Sequence, residues 1–586
     1  MATANIRRHG QDDSSATSPT MTENTPLLRS ESSSETARDS SPASKRQPDP
    51  APDQPLGWKR MTCIVVSLWA LIFLQASNMS GISTTQSTIA ADLDAYESAM
   101  WFTSSYMISM SSVAPLAGRL AMVFTSPTMM LLASACFALG ALVTALAPSF
   151  AVFILGRVMQ GIGSGGIMTL CMILVIQLTS KKRRGLWIGL ANSGFTIGVS
   201  AGAVVFGALL PVLGWRLLFG AQAPLSAIAG LCVSLSIPRF TMQDSIKNKT
   251  TLQKLAGLDY AGASTLSITI VLFLYGLSNT TIQPLPILLS LLTLTLFLHI
   301  ESLASDPVIP LPLLSSRGVL LSCLSQLGFM AARWTVLFYA PIFTLAVRGL
   351  SPAIAGSVLI PTNAGFGLGG LLVGALHIRR AGSFWLPALL SLALFAASLL
   401  ALAFVSTAAS DPRAYVALLF ANGLCTGAAL NYTLAHLLHV SSPDAHLIVT
   451  GLLSTFRGFA GSFGTAIGGG VFARTLRGAL VEGFGRLDGD DGNKQGNKAR
   501  EKLIRVLIGS PAAVWKDGVL SAAERDVAVS GYERALEVLY KSTAVVCVLV
   551  LVIQAGSGWV APEGVEEEVD EEFEEVIAEQ DRAMEA

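Results

Sequence analysis

Charge is what this 586-residue sequence has least of. Only 13% of its residues are Asp, Glu, Lys or Arg, where a soluble domain carries about 25%. With 52% hydrophobic residues and a mean hydropathy of +0.57, that scarcity excludes a soluble globular chain, which could not hide so much apolar surface from water. Cysteine is sparse too. The seven cysteines (Cys63, Cys136, Cys171, Cys232, Cys323, Cys425, Cys547) fall in or beside apolar segments, and no pair has metal-ligand or redox spacing. They read as small buried hydrophobes, so neither a disulfide framework nor a metal site is expected. There is no nucleophile–base set, so no enzyme and no cofactor are expected, and nothing calls for nucleic acid. The N-terminus has no apolar run of the kind that precedes signal cleavage.

What is present is a succession of apolar runs of about 20 residues, each long enough to cross a bilayer as a helix. Fourteen are centred near Leu71, Ser109, Cys136, Gly163, Gly198, Ala227, Ile268, Leu291, Gly328, Gly365, Ala393, Gly423, Gly461 and Val548. The expectation is an all-α polytopic membrane protein of about 14 transmembrane helices. Residues 1–55, rich in Ser, Thr and Pro, read as a disordered tail. Residues 56–238 hold a first set of six helices and 239–315 a linker with two extra helices. Residues 316–560 hold a second set of six, including a long loop at 478–540, with the last helix starting near Lys541. Residues 561–586, with Glu566–Glu568 and 570–575, read as a solvated acidic tail.

Basic residues mark one face: Lys59-Arg60, Lys181–Arg184, Arg239, Lys247, Lys249, Lys254 and Arg379-Arg380. Asp92, Asp94 and Glu97 fall opposite. Both termini should be cytosolic, and loop 478–540 lumenal or exterior. A faint repeat joins Pro115-Leu-Ala-Gly118-Arg119, ending the second run, to Leu371–Gly374 and Arg379-Arg380, ending the tenth. The fifth and thirteenth runs are both glycine-laddered. Two related halves would explain both pairings.

The stretch Gly161-Ile-Gly-Ser-Gly-Gly166 satisfies the dinucleotide fingerprint G-x-G-x-x-G, but its context does not. It lies inside the apolar run 150–178, and Lys181–Arg184 stands where the ribose-binding acid should be. Gly161 and Gly165 are four apart, as are Gly194, Gly198 and Gly202, and Gly464 and Gly468. Small residues at that spacing make a helix-packing face between membrane helices.

The same region resembles a known family. Leu155-Gly-Arg157-Val-Met-Gln160-Gly161-Ile-Gly-Ser-Gly165 is similar to the fourth-helix motif of the major facilitator superfamily. Trp101–Tyr106, Pro115–Leu120 (with Gly118 and Arg119), Gly214-Trp215-Arg216, Asp306–Leu311, Pro341 and Arg348–Pro352 resemble neighbouring motifs of its fourteen-helix drug:proton antiporter branch. Fungal multidrug and vacuolar basic-amino-acid carriers are the nearest in kind. The resemblance runs from about Trp58 to Val552 and implies two six-helix halves plus two extra helices. It also implies a secondary transporter of a small organic solute, by efflux or vacuolar sequestration, with protons as coupling ion. Two departures bear on coupling. Met122 stands where the loop motif has aspartate, and Asn78 where helix one often has one. The alternatives are a vacuolar basic-amino-acid importer and a non-transporting nutrient sensor.

Ionisable residues inside membrane segments are costly and usually functional. The candidates are Arg157, Arg333 and Arg457, with His436 and His439 read as interfacial residues that could also carry protons. No carboxylate lies deep in any segment, and Asp259 sits only at the start of the seventh. That favours neutral or anionic solutes, since a cationic substrate needs a desolvated counter-charge. The resemblance links Arg157 to proton coupling; a structural arginine bonded to Asn78 or Gln75 is the other reading. Arg333 beside Trp334 either meets an anionic or aromatic ligand or snorkels to an interface. Gln75, Asn78, Gln86, Gln160, Asn363, Asn422, Asn431 and Tyr432 either line a pathway or bond helices together. In the N-terminal tail, Glu23-Asn-Thr-Pro-Leu27-Leu28 resembles an acidic dileucine signal, which implies a sorting adaptor and the vacuolar membrane, with the plasma membrane as alternative. The sequon at Asn279 is expected to lie too near the bilayer for glycosylation.

Overall fold

The computed structural model describes residues 58–178, 184–237, 259–278, 281–304, 314–374, 383–441, 446–488 and 494–559. The dileucine segment at Glu23, Leu27 and Leu28, the basic cluster 181–183, Arg379-Arg380, Asn279 and the acidic tail lie outside them, as do the side chains of Arg119 and Met122.

Among the described residues there is no strand. The first six helices are α1 (Trp58–Asp92), α2 (Trp101–Val123), α3 (Ser126–Ala145), α4 (Phe150–Leu178), α5 (Arg184–Gly220) and α6 (Gln222–Ser236). Two follow alone, α7 (Tyr260–Ser278) and α8 (Pro284–Leu303). Then come α9 (Arg317–Ala346), α10 (Pro352–Ser357) continued by α11 (Leu359–Leu372), α12 (Trp385–Val405), α13 (Pro412–Val440), α14 (His446–Asp488), α15 (Lys494–Gly509) and α16 (Ala522–Ala555). Each of the fourteen apolar centres falls in one of these helices. Eleven helical stretches are long and apolar enough to cross a membrane. The other three centres lie in serine-rich α2, in α6, which has 15 residues, and in α14, diluted by glycine and arginine.

The helix pairings repeat. In the first six, α1 packs on α5 and α6, α2 and α3 on α4, and α3 on α6. In the second, α9 packs on α14 and α16, α11 and α12 on α13, and α12 on α16. The two sets meet reciprocally: α5 lies against α10 and α11, and α2 against α14. Helix α7 packs on α2 and α14, and α8 on α7. Leu288, Leu291, Leu292 and Leu296 of α8 point outward, as an edge helix facing lipid would.

Helix starts and helix ends pair off on one face of the described bundle. At the start of α1 Arg60 Nε donates to Ser236 O at the end of α6, and at the start of α12 Trp385 Nε1 donates to Ala555 O at the end of α16. We call this the terminal face and its opposite the insertion face. Within α5 the chain kinks at Gly214 (φ 69°, ψ 162°), a left-handed φ that suits glycine.

The stretch 478–540 is mostly helix rather than loop. The 43-residue α14 spans about 65 Å at 1.5 Å per residue, well beyond a core of about 30 Å, so it projects past the insertion face. Helix α15 is charged overall but buries Ile504 and Leu507 along one side, a local pattern that its polar composition hides. Helix α16 starts at Ala522, not near Lys541. Ser521 and Glu524 close a capping box there, with Glu524 N donating to Ser521 Oγ at 3.3 Å and Ser521 N to Glu524 Oε2 at 2.8 Å.

Candidate functional site

Close helix contact comes first, because it sets the polar side chains in place. A Cβ at Gly161 would lie 2.4 Å from Tyr106 O, and one at Gly165 2.5 Å from Met110 O, both on α2. On the other side of α4, a Cβ at Gly163 would lie 2.5 Å from Phe137 N of α3. Glycine thus brings α4 against two backbones at once. Gly194, Gly198 and Gly202 bring α5 against Trp69, Phe73 and Ser77 of α1, and Gly464 brings α14 against Ala331 of α9. Gly468 meets Thr335 at 3.1 Å, while Gly118 meets only Thr169 at 3.5 Å, ordinary contact.

That approach closes a polar cluster inside the first six helices. Arg157 is fully buried. Its Nε donates to Phe102 O at 2.8 Å, and its Nη1 to Asn78 Oδ1 and, at 3.1 Å, to Gln160 Oε1. Asn78 Nδ2 donates onward to Gln222 Oε1 at 2.8 Å. The guanidinium carbon lies 4.5 Å from the centroid of the Tyr106 ring, a cation–π contact. Gln75 Oε1 accepts from Ser164 Oγ at 2.9 Å, which pairs with Tyr106 OH at 2.6 Å. The charge is solvated by amides, a carbonyl and a ring, with no carboxylate, and Nη2 has no hydrogen-bond partner.

A second cluster crosses between the two sets. Arg333, near the middle of α9, is 5% exposed, so it does not snorkel. Its Nη2 donates to Asn363 Oδ1 of α11 at 2.7 Å, and Asn363 Nδ2 donates to Ser200 Oγ of α5 at 2.8 Å. Ser111 of α2 donates to Ser462 of α14 at 3.2 Å. Trp334 meets Phe195 of α5 edge-on, with centroids 6.3 Å apart. Arg457 is partly buried on α14. Towards the insertion face, Gln86, Thr103, Tyr339 and Thr465 line a cavity of about 40 Å³ that Ile508 and Pro511 help to close, room for about three waters.

Several candidates lie apart from both clusters. Asn422 Nδ2 donates to Ser398 Oγ at 2.9 Å, joining α13 to α12, and Asn431 Nδ2 to Gly370 O at 2.5 Å, joining α13 to α11. Tyr432 is partly buried on α13. His436, expected at an interface, is fully buried, with Nε2 2.9 Å from Ser557 Oγ, because the end of α16 folds over it; His439 is partly buried. One acid went unnoticed in the sequence. Glu301, in the last turn of α8, is 2% exposed. A Cβ at Gly262 would lie 2.0 Å from Asp259 Oδ2 and 2.8 Å from Glu301 Oε2, so the two carboxylates are neighbours where α7 meets α8. An acid on the last turn of an apolar run was the available signal. Ser200 had none beyond its place on the glycine-laddered helix.

A family model described as Major Facilitator Superfamily matches residues 68–465, most of the bundle described above. The chain belongs to the major facilitator superfamily. Its relatives in the superfamily include the "MFS-type transporter ppz2" of Metarhizium majus, 28% identical over 56% of this chain and 57% of that protein. The "Acurin A biosynthesis cluster MFS-type transporter" of Aspergillus aculeatus is 26% identical over 78% of this chain and 86% of that one. "Efflux pump FUS6" of Gibberella fujikuroi is 26% identical over 74% and 80%. The matches to ppz2 and to TwmF of Talaromyces wortmannii span less than two thirds of those proteins, 57% and 64%. Among solved structures, a bacterial homologue of the human lysosomal transporter Spinster shares the fold, with TM-score 0.60 and 14% identity over 85% of this chain and 97% of that one. A D-xylose–proton symporter does so with TM-score 0.51 and 13% identity over 79% and 99%. The superfamily fold makes this a multi-pass membrane protein.

Outside the membrane-spanning helices, the insertion is held by ion pairs. Arg500 Nε and Nη2 each lie 2.7 Å from a carboxylate oxygen of Asp488, and Nη1 pairs with Glu524. The Arg500 hydrogen bonds hold the Asp488 carboxyl below its ordinary range, and Asp488 in turn raises the guanidinium. Arg505 Nε reaches Glu97 Oε1 at 2.7 Å, Ala512 N donates to Ser87 Oγ at 3.3 Å, and Trp515 Nε1 donates to Ala346 O at 2.8 Å. The insertion thus touches both sets of helices at once.

Proposed function

We propose that this chain is a secondary transporter, not an enzyme, that moves a small organic solute across a membrane by alternating access of its two six-helix halves. The observation that carries the reading is the pair of repeated bundles meeting through Ser200–Asn363–Arg333 and Ser111–Ser462. These polar contacts can be exchanged as the halves rock, beside the close glycine packing of Gly207 on Pro352 and Gly356 on Ala203. Relatives named as efflux pumps support export or sequestration as the direction. We read fourteen crossings with both termini cytosolic, a reading that the fourteen apolar runs and the basic loops of the sequence support. The dileucine at Leu27-Leu28 favours the vacuolar membrane; Leu27→Ala with Leu28→Ala should move the tagged protein elsewhere, and unchanged location would sink that assignment. The neutral setting of Arg157 beside Asn78 means that a proton, if it drives transport, is not carried by a helix-one acid.

The test is uptake from a metabolite extract into sealed vesicles holding the protein, under an imposed pH gradient, with and without a protonophore. Accumulation above empty vesicles that collapses with the protonophore supports proton-coupled transport. Equilibration indifferent to the protonophore removes the proton and keeps the transporter. No flux of any compound through folded protein overturns the reading.

A further inference from the structure

Both Arg157 and Arg333 are buried, but only Arg333 is tied to the seam between the halves. One arm of its fork, Nη2, is taken by Asn363 at 2.7 Å. The guanidinium carbon lies 4.1 Å from the centroid of the Phe366 ring. The other arm, Nη1, is buried with no hydrogen-bond partner. Among the described residues Arg333 has no ion-pair partner, and the acids Asp259, just before α7, and Glu301, buried on α8, pack against each other elsewhere.

Arginine cannot shed its proton to escape this situation, unlike lysine or histidine. A cation held in a water-poor interior without an anion is costly, and the cost falls when an anion arrives. The planar fork matches a carboxylate in a bidentate fashion. Phe366 covers one side of it, and Trp334, its neighbour in sequence on α9, meets Phe195 across the seam. We infer that Arg333 binds the carboxylate of a small organic anion with an apolar body, between the two halves.

Asn363 is then a neutral placeholder. Its Oδ1 occupies one donor of the fork, while its Nδ2 holds Ser200 of the other half at 2.8 Å. A carboxylate that takes both arms displaces Asn363 and frees Ser200, so arrival of the anion loosens a contact between the halves. This inference rests on the transporter reading for its role, but not for its test.

The test uses the full-length protein in lipid nanodiscs, with 1-naphthoate and its uncharged amide, 1-naphthamide, as probes. Binding is read by quenching of tryptophan fluorescence. Naphthoate should bind saturably, at least about tenfold more tightly than naphthamide, the size of one charge-assisted hydrogen bond. Arg333→Gln should weaken it by about tenfold or more, and Arg333→Lys, which keeps charge but not the fork, by less. Asn363→Asp guards against simple misfolding. It supplies the missing carboxylate from within, so it should abolish naphthoate binding in a protein at least as heat-stable as wild type. Equal affinity for acid and amide, no saturable binding of naphthoate, or undiminished binding by Arg333→Gln and Asn363→Asp overturns the inference. Uptake from the metabolite extract separates the two readings. Flux that survives Arg333→Gln keeps the transporter and removes the anion site; naphthoate binding with no flux of any compound does the reverse.

Discussion

Replacing Gly161 by alanine asks whether close approach of α4 to α2 holds this bundle together. The added methyl would sit 2.4 Å from Tyr106 O, 2.8 Å from Ser109 Cβ and 3.1 Å from Met110 N. Two of these are backbone atoms of a helix, which cannot swing aside as a side-chain tip can. Restoring ordinary contact means shifting α2 by about 1 Å, and overpacking of this kind costs about 1–3 kcal/mol. Alanine returns about 1 kcal/mol through its better helix propensity. Gly118→Ala, in the facing helix, is the control. Its methyl meets nothing nearer than Thr169 Cγ2 at 3.5 Å, so only the propensity gain remains. The two variants should therefore differ by about 1–3 kcal/mol, with Gly118→Ala at or above wild type.

Adding Gly165→Ala to Gly161→Ala sharpens the test. Its methyl would press on Met110 O at 2.5 Å, on the same stretch of α2. One displacement of α2 relieves both clashes, so the double variant should lose less than the two single losses combined. The assay is thermal unfolding of the full-length variants in one detergent, followed by intrinsic fluorescence and by loss of the monodisperse peak. If Gly161→Ala unfolds no earlier than Gly118→Ala, the packing account of the GIGSGG stretch is wrong.

Arg157→Ala removes the hub that joins Asn78, Gln160 and the Phe102 carbonyl, and should abolish flux in the vesicle assay; flux at the wild-type rate would show that the hub is dispensable. On the insertion, Trp515→Ala deletes the donor to Ala346 O and should increase protease cutting within 478–540 in intact right-side-out vesicles, with an unchanged digest as the contrary result. Acid should have the same effect. The Asp488 carboxyl titrates lower in the folded protein than in an unfolded chain, so the stability it adds is present above its ordinary pKa of about 4 and is lost as pH falls through the folded value. The insertion should thus stay protected at pH 5 and open only below about pH 4; opening between pH 5 and 7 would assign the switch to another group.

The helices were legible in the sequence because a bilayer leaves the chain so few options. Runs such as 150–178 and 317–346 must satisfy their backbone internally, and glycine every fourth residue leaves little reading other than contact. The repeat was legible only in outline, from Pro115–Arg119 against Leu371–Arg380. What a single sequence does not encode openly is direction around each helix. Asn363 and Asn422 look alike in the chain, yet one spans the seam to Ser200 and the other binds Ser398 within its own half. Gln75 and Gln86 differ in the same way: one is closed off by Ser164, the other lines the cavity under the insertion. The stretch 478–540 was opaque for the opposite reason. Its helices are charged enough to read as a loop, and their buried side exists because residues 96–98 and the extensions of α14 and α16 past the bundle meet it. The three arginines are the exception that joins both levels. Their cost in a membrane made them conspicuous as residues, and their places then divide Arg157 from Arg333: each has one unpartnered amine, but Arg157 is enclosed by neutral groups within one half, whereas Arg333 sits at the seam, tied through Asn363 to Ser200. A buried cation at the seam, with no ion-pair partner among the described residues, suits an anion that arrives from outside.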